Sequence, residues 1–248
     1  MSQAGNFWFR DHRVTAAGER IEVGVTDERM NFAEWAEPEV RARSLAEVSA
    51  EAAGAPSQWM RQVHGNQVAV IGQAGEPVEA DGLVTRTEQT VLGVRCADCV
   101  PVLIADLRSG AISAVHAGRQ GVARDVVGAA VAALVGAAGG AVPRSDSELV
   151  AWVGPHVCGA CYEVPEQLRT EVAHLVPQAF ATTSWGAPSL DLGAGVASQL
   201  AAHGVAEIVR VPGCTMEEAA LPSHRRDGAR SGRLAGLIWR RPIAAGVR

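Results

Sequence analysis

Two histidines and one cysteine stand in short motifs that suit metal binding. The motifs are RQVHG around His64, CADCVP around Cys99 and AVHAG around His116. The last two border apolar runs that predict β-strands, and a strand end can fix a ligand within the small tolerance that coordination requires. Imidazole and thiolate together favour Zn²⁺ or copper over Mg²⁺ or Ca²⁺. Spacing alone leaves ordinary structural roles open for all three side chains.

The remaining cysteines give a weaker signal. Cys158 and Cys161 form a second C-x-x-C pair, but it lies much further from Cys96 and Cys99 than the pairs of a compact zinc ribbon do. We therefore expect no four-cysteine site made of these two pairs. Cys214 is expected to be a buried, inert side chain.

These motifs lie in a chain that predicts alternating strands and helices. Apolar and β-branched runs predict strands, and helical periodicity predicts helices, with a turn at 106–110 and a loop at 138–147. The predicted strands are 67–72, 90–94, 100–105, 111–115, 149–153 and 207–211, and the predicted helices are 37–53, 121–137, 165–175 and 194–203. The strands at 90–94, 100–105 and 111–115 are apolar on both faces, as in the centre of a covered sheet. We predict an α/β fold with a mixed sheet and a single domain over residues 1–248.

Composition excludes several classes of function. The chain has 248 residues, 48% of them hydrophobic, and a formal net charge of −5. A binder of nucleic acid or of membrane surfaces would carry an excess of lysine and arginine. The N-terminus has no apolar run of signal-peptide type, and five cysteines in a chain of this size do not indicate a secreted disulfide scaffold. The expected location is the cytoplasm, without nucleic-acid or membrane partners.

Six motifs occur in order between Gln62 and Arg233: QVHGNQV, ADGLVT, CADCVPVLIAD, AVHAG, GPHVCGACYEV and SHRRDGARSGR. Together they resemble the laccase-domain family, whose members are called polyphenol oxidases, purine nucleoside phosphorylases and peptidoglycan-editing factors. The resemblance covers about two thirds of the chain. It implies one layered α/β/β/α domain, which agrees with the mixed pattern of strands and helices.

The resemblance also implies a catalytic zinc site formed by His64, Cys99 and His116. Three protein ligands leave a fourth position for water or substrate, which is the usual arrangement of catalytic zinc. The alternative is a closed structural site in which Cys96 supplies the fourth ligand. Asp98, beside Cys99, and Asp81, in ADGLVT, fit either the orientation of a ligand histidine or the capping of a turn.

The leading functional hypothesis is a zinc-dependent purine nucleoside enzyme that acts by phosphorolysis, by deamination of adenosine, or by both. Zinc is a Lewis acid without redox chemistry. Phosphate is well matched by arginine, and Arg225, Arg226 and Arg233 are the candidate phosphate ligands. The competing interpretation of these arginines is a solvated loop with a salt bridge to Asp227. His224 is interpreted as a surface histidine.

Three alternatives remain. A copper polyphenol oxidase is less favoured, because the chain has seven histidines and no H-x-H pair. A metal-independent hydrolase would use Cys99 as nucleophile and His116 as base. A peptidoglycan-editing factor with weakened catalysis is suggested by Arg119 and Gln120, which stand where the family usually has Trp followed by Arg or Lys. The Thr-Arg-x-Gly-Gly loop usual near the family's N-terminus is also missing.

Overall fold

The computed structural model of the chain describes residues 7–139 and 148–241. The strands in these ranges are β1 (Phe7–Val14), β2 (Arg20–Thr26), β3 (Ser57–Gln58), β4 (Met60–Arg61), β5 (Val68–Ile71), β6 (Val78–Glu79), β7 (Gly82–Thr85), β8 (Val91–Cys96), β9 (Val100–Asp106), β10 (Ile112–Ala117), β11 (Leu149–Val153), β12 (Phe180–Thr182), β13 (Pro188–Leu190), β14 (Glu207–Arg210) and β15 (Leu234–Arg241). The helices are α1 (Pro38–Glu51), α2 (Arg119–Ala123), α3 (Val126–Ala137), α4 (Glu166–Leu175), α5 (Leu192–Ala202) and α6 (His224–Asp227), with 3₁₀ turns at Pro177–Ala179 and Gly228–Arg230.

Two mixed sheets dominate the structure. The first has the strand order β1-β2-β15-β8-β3 and the second β14-β11-β9-β10-β7-β5. Most neighbours are antiparallel, whereas β3–β8, β5–β7 and β11–β14 are parallel pairs. The prediction of an α/β fold with mixed sheets is confirmed.

Three apolar clusters define the order of the layers. Val48 of α1 packs with Leu237 and Trp239 on one face of the first sheet. Side chains such as Val23 and Ile112 fill the space between the two sheets. Helices α3 and α5 cover the other face of the second sheet through a third cluster. The layers therefore follow one another as helix, sheet, sheet and helices.

Side-chain alternation explains why the central strands are apolar throughout. In β9, Val102 and Ile104 face the helical cluster, whereas Leu103 and Ala105 face the space between the sheets. Successive side chains of a strand point to opposite faces, so a strand that is covered on both faces is apolar at every position. The adjacent strand β10 follows the same pattern, and the predicted turn at 106–110 connects the two as an antiparallel hairpin.

Several sequence predictions need correction. The single helix predicted at 121–137 is two helices, because Asp125 adopts a left-handed φ of 55° and its side chain accepts a hydrogen bond from the Gly128 amide at the start of α3. Strands β1, β2 and β15 of the first sheet were not predicted. The other predicted helices and strands are confirmed within a few residues at each end. The predicted loop at 138–147 lies mostly outside the described residues.

None of the helices in the described ranges is both long and apolar enough to cross a membrane.

Candidate metal centre

The sheet geometry brings two of the three candidate ligands together. In the antiparallel pair β9–β10, His116 is opposite Pro101, so it lies beside the turn that carries Cys99. Asp81 immediately precedes β7, and its carbonyl oxygen accepts a hydrogen bond from the His116 amide at 2.8 Å. His64 lies in the loop between β4 and β5, with a left-handed φ of 60°.

The predicted ligands converge. Their donor atoms all lie within 4.8 Å of one another. Nε2 of His64 is 3.9 Å from Sγ of Cys99, and the two imidazole rings meet edge to face with centroids 4.7 Å apart. Among the described residues, Cys96 does not belong to this cluster, although its buried side chain lines the adjoining cavity. The geometry therefore favours three protein donors over a closed site containing Cys96.

Asp81 anchors two of the ligands. Its fully buried carboxylate accepts hydrogen bonds from the amides of His64 at 3.0 Å and Gly65 at 2.6 Å, and from the amide of Val63 at 3.3 Å. The same carboxylate lies 2.8 Å from Nδ1 of His116. A carboxylate on Nδ1 directs Nε2 toward the cluster and fixes the tautomer that a metal needs. Asp81 thus fills both roles left open by the sequence, because it orients His116 and caps the turn at 63–65.

The electrostatics of the cluster suit a cation. Burial opposes ionisation of Cys99, but the charge and hydrogen bonding of His116, together with those of His64, lower the pKa of this thiol to about 6. Burial also opposes the charged form of His116, while the Cys99 thiolate and the Asp81 carboxylate raise the pKa of this imidazole to about 9. Despite burial, hydrogen bonds from His116 and the backbone hold the pKa of Asp81 below its ordinary value. The thiolate is the form of Cys99 that binds zinc, and zinc binding would release the proton that His116 otherwise holds.

A glycine leaves room for the ligands. A Cβ atom placed on Gly118 would lie 2.8 Å from Cδ2 of His64 and 3.2 Å from Sγ of Cys99. Real side chains do not tolerate the first of these distances without movement, so a larger residue would displace a ligand. The donor types, their convergence and this close packing fit a single metal ion with an open position.

The cluster opens into a cavity of about 670 Å³, which falls within the usual range for small-molecule sites. Aromatic and cationic groups line it, namely Phe32, Trp35, Tyr162, Arg61, Arg95, Arg225 and Arg233. His224, predicted as a surface histidine, is exposed and also lines the cavity. The cavity therefore offers flat apolar faces and guanidinium groups beside the donor cluster.

The three candidate phosphate ligands do not all reach this cavity. Arg225 donates to the Glu163 carbonyl at 2.9 Å and stacks over the Tyr162 ring. Arg233 stacks over Trp35, with 4.4 Å between the guanidinium carbon and the ring centroid. Arg226 instead binds main-chain carbonyls and the carboxylate of Asp227, the salt bridge named above as the competing interpretation. The structure thus brings Arg225 and Arg233 to the cavity and commits Arg226 to its own loop.

Asp98 joins the loops around the cavity. Its carboxylate accepts hydrogen bonds from the hydroxyls of Thr215 at 2.6 Å and Ser223 at 2.7 Å, and from the amide of Arg225 at 2.7 Å. Its left-handed φ of 88° turns the chain between β8 and β9. The Arg225 amide lies in the first turn of α6, so these contacts favour the capping role left open for Asp98.

Sequence reasoning did not identify Trp35 and Tyr162 as cavity residues. Trp35 belongs to a segment with no recognised motif, so no signal pointed to it. Tyr162 follows Cys161 in a quoted motif and could have been singled out as the chain's only tyrosine. Burial and the nearby Cys99 raise the pKa of Tyr162, although the charges of Arg119 and Arg225 oppose this shift. The phenol therefore stays neutral at physiological pH.

Fold and site together define a layered α/β protein with a candidate His–Cys–His metal centre at the base of an open cavity. Residues 30–241 match the family model described as multi-copper polyphenol oxidoreductase laccase, and the chain belongs to this family.

Relatives and solved structures agree with this assignment. The chain is 48% identical over 185 residues to purine nucleoside phosphorylase ORF3 of Streptomyces griseus, covering 73% of each protein. It is also 48% identical over 200 residues to a purine nucleoside phosphorylase of Streptomyces coelicolor, covering 79% of this chain and 80% of that protein. The crystal structure of a Neisseria meningitidis protein of family DUF152 superposes with a TM-score of 0.79 at 28% identity, covering 94% of this chain and 98% of that one.

Proposed function

We propose that the protein is a zinc-dependent purine nucleoside enzyme that catalyses phosphorolysis, deamination of adenosine, or both. The observation that carries the proposal is the convergence of His64, Cys99 and His116 at a cavity that also presents aromatic rings and arginines. The names of the Streptomyces relatives support a nucleoside substrate. We place this activity in the cytoplasm, where thiols stay reduced.

The cavity residues divide the work of substrate binding. Trp35 and Tyr162 offer faces for a purine, whose flat ring gains from offset or edge contacts with aromatic side chains. Arg225 and Arg233 offer planar donor groups for phosphate. When bound, a zinc ion held by the three donors supplies Lewis acidity without redox chemistry. Asp81 keeps the Nε2 atom of His116 directed toward the cluster.

The two reactions have distinct products. In phosphorolysis, a phosphate oxygen bonds to ribose C1′ while the C1′–N9 bond breaks and its electron pair passes to the base, giving ribose 1-phosphate. In deamination, water adds to C6 of adenosine and ammonia leaves, giving inosine. Both demand that the nucleophile be held close to the reacting carbon in the correct orientation, which is the task of the aromatic and arginine side chains.

A metal-independent cysteine hydrolase is the second candidate, because Asp81, His116 and Cys99 lie in the order of an acid–histidine–nucleophile triad. Copper is less favoured than zinc. A blue copper centre adds a weak axial ligand, often methionine, to two histidines and a cysteine. None of the described residues lining the cavity is a methionine.

One experiment separates these functions. Purified protein is analysed for metals and then incubated with adenosine, inosine or guanosine, with and without phosphate, while base, ribose 1-phosphate and ammonia are measured. We expect about one zinc at this site and product formation that chelation abolishes and zinc restores. Activity that survives chelation would favour the hydrolase. A visible thiolate-to-copper absorption band would favour the oxidase, and inactivity with every purine nucleoside would refute the proposal.

A further inference from the structure

A second cluster of donor atoms lies outside the candidate active site. Cys158 and Cys161 are separated by two residues, and Cys214 and Glu217 have the same spacing. The donor atoms of these four side chains all lie within 4.8 Å of one another. From the sequence, Cys158 and Cys161 are not expected to form a ribbon with Cys96 and Cys99, Cys214 is expected to be inert, and Glu217 lies in no motif.

The topology explains why these distant pairs meet. Strands β11 and β14 are parallel neighbours, so their carboxyl ends lie at the same edge of the second sheet. One pair follows β11 and the other follows β14. A parallel bridge between His156 and Cys214 extends the pairing beyond the strands, and the Thr215 amide donates to the His156 carbonyl at 3.1 Å. The fold thus places both pairs side by side.

Each pair lies on the same kind of tight turn. The Cys161 amide donates to the Cys158 carbonyl, and the Glu217 amide donates to the Cys214 carbonyl, both at 3.0 Å. This bond brings residues three apart onto one side of the turn. Two such turns facing one another present four donors to a common centre, as paired C-x₂-C turns do in structural zinc sites.

Sulfur and carboxylate atoms of the two turns contact one another directly. The Cys158 amide donates to Sγ of Cys214 at 3.4 Å, and Sγ of Cys161 lies 3.3 Å from Oε1 of Glu217. All cysteines of the chain are free thiols. Tetrahedral zinc with bonds of about 2.3 Å to sulfur separates two sulfurs by about 3.8 Å. The observed spread of up to 4.8 Å therefore needs only small side-chain rotations to reach this geometry.

We propose that Cys158, Cys161, Cys214 and Glu217 form a second, closed zinc site with a structural role. Three thiolates and one carboxylate complete a tetrahedron and leave no position for substrate. Cys161 and Cys214 are buried, with exposed fractions of 8% each, whereas Glu217 closes the site at the surface. Soft sulfur ligands favour zinc over magnesium, calcium or manganese.

Such a site would stabilise the walls of the neighbouring cavity. Tyr162, next to Cys161, lines that cavity. Thr215, next to Cys214, donates its hydroxyl to Asp98, the residue that also holds Ser223 and the amide of Arg225. A metal ion joining the two turns therefore fixes the loop that carries the aromatic face to the loops that carry an arginine.

Metal counting tests the proposal in the full-length protein. Wild-type protein purified with zinc is expected to contain two zinc ions per chain, and the variants Cys99→Ser and Cys158→Ser one each. Cys96→Ser is the matched control, since Cys96 is a buried cysteine outside both clusters, and it should retain two. Glu217→Gln is expected to weaken the second site by at least about tenfold, whereas Glu217→Cys should restore binding.

Cobalt substitution keeps the test valid if Cys158→Ser fails to fold. In Cys99→Ser, which leaves the second cluster intact, Co²⁺ should give an intense near-ultraviolet charge-transfer band from three thiolates and visible bands of a tetrahedral ion. The proposal is overturned if wild-type protein contains one zinc ion per chain and Cys99→Ser contains none. It is equally overturned if the three cysteines react freely with a thiol reagent in zinc-loaded protein, or if a disulfide links two of them.

Discussion

Replacing Asp81 with asparagine tests whether one buried carboxylate sets the geometry of the candidate metal centre. One of its oxygens accepts from the His64 amide and lies next to Nδ1 of His116, and the other accepts from the amides of Val63 and Gly65. Asparagine has nearly the same shape, but one of its two terminal groups is a donor. In either orientation, its NH₂ group therefore faces two other N–H groups.

The expected cost is large because the carboxylate is fully buried. Hydrogen bonds to a charged group contribute about 1.5–3 kcal/mol each, so losing one pair lowers the free energy of unfolding by about 3–6 kcal/mol. A whole domain is stable by only about 5–15 kcal/mol. In protein that remains folded, the loss of ligand orientation should weaken zinc binding about 10- to 100-fold.

Two measurements check this expectation. Urea unfolding of metal-free protein gives the change in stability, and competition with a fluorescent chelator gives the zinc dissociation constant. Asp106→Asn is the matched control, because Asp106 is also a buried carboxylate with hydrogen-bond donors, the Arg108 amide and the Ser109 hydroxyl, but it lies at the opposite end of β9. The control should lose stability and keep its zinc affinity. An Asp81→Asn protein with unchanged zinc affinity would refute the positioning role.

Three further changes give separate expectations. Gly118→Ala should weaken zinc binding more than about tenfold by displacing a ligand, as measured by chelator competition. Its control, Gly136→Ala, lies at an exposed helical position with open space around it. This control should raise the free energy of unfolding in urea by about 0.5–1 kcal/mol. Trp35→Ala should raise the nucleoside KM in steady-state assays about three- to tenfold, the equivalent of one aromatic contact. Phe180→Ala removes another exposed ring stacked by an arginine and should leave this KM unchanged. Cys96→Ala should retain zinc at the catalytic cluster by elemental analysis while losing about 1 kcal/mol of stability in urea; loss of that zinc would support the closed alternative.

The second sheet could be predicted from the sequence to a large extent, and most of the first sheet could not. Strands β9 and β10 are buried on both faces, so their residues form continuous apolar runs that are easily recognised. Strand β1 has the sequence FWFRDHRV and lies at a partly exposed edge of the sheet. Its charged residues interrupt the alternation of apolar and polar residues that would predict a strand. Its pairing with β2, and that of β2 with β15 from the other end of the chain, depends on tertiary contacts that local patterns do not encode.

The convergence of the candidate donors His64, Cys99 and His116 was predictable from the family resemblance of their motifs, whereas spacing alone left it open. The surroundings of those donors were not. Whether Asp81 orients a histidine or caps a turn depends on the path of the 63–65 loop, which only three-dimensional coordinates supply. The separation of Arg226 from Arg225 is similar, because adjacent residues in a short helix point in different directions.

The departure from the family pattern at 119–120 has a structural counterpart. Arg119 opens α2, and its charge acts on the phenol of Tyr162, whose ring is stacked by Arg225 from the opposite loop. The aromatic group and the cations at this edge of the cavity thus come from three different segments. Tyr162 thus presents a flat face to the cavity although no aromatic residue directly follows the AVHAG motif. The same arrangement makes the position of the Tyr162 ring depend on the turn at Cys158–Cys161, which links the recognition surface to the second donor cluster.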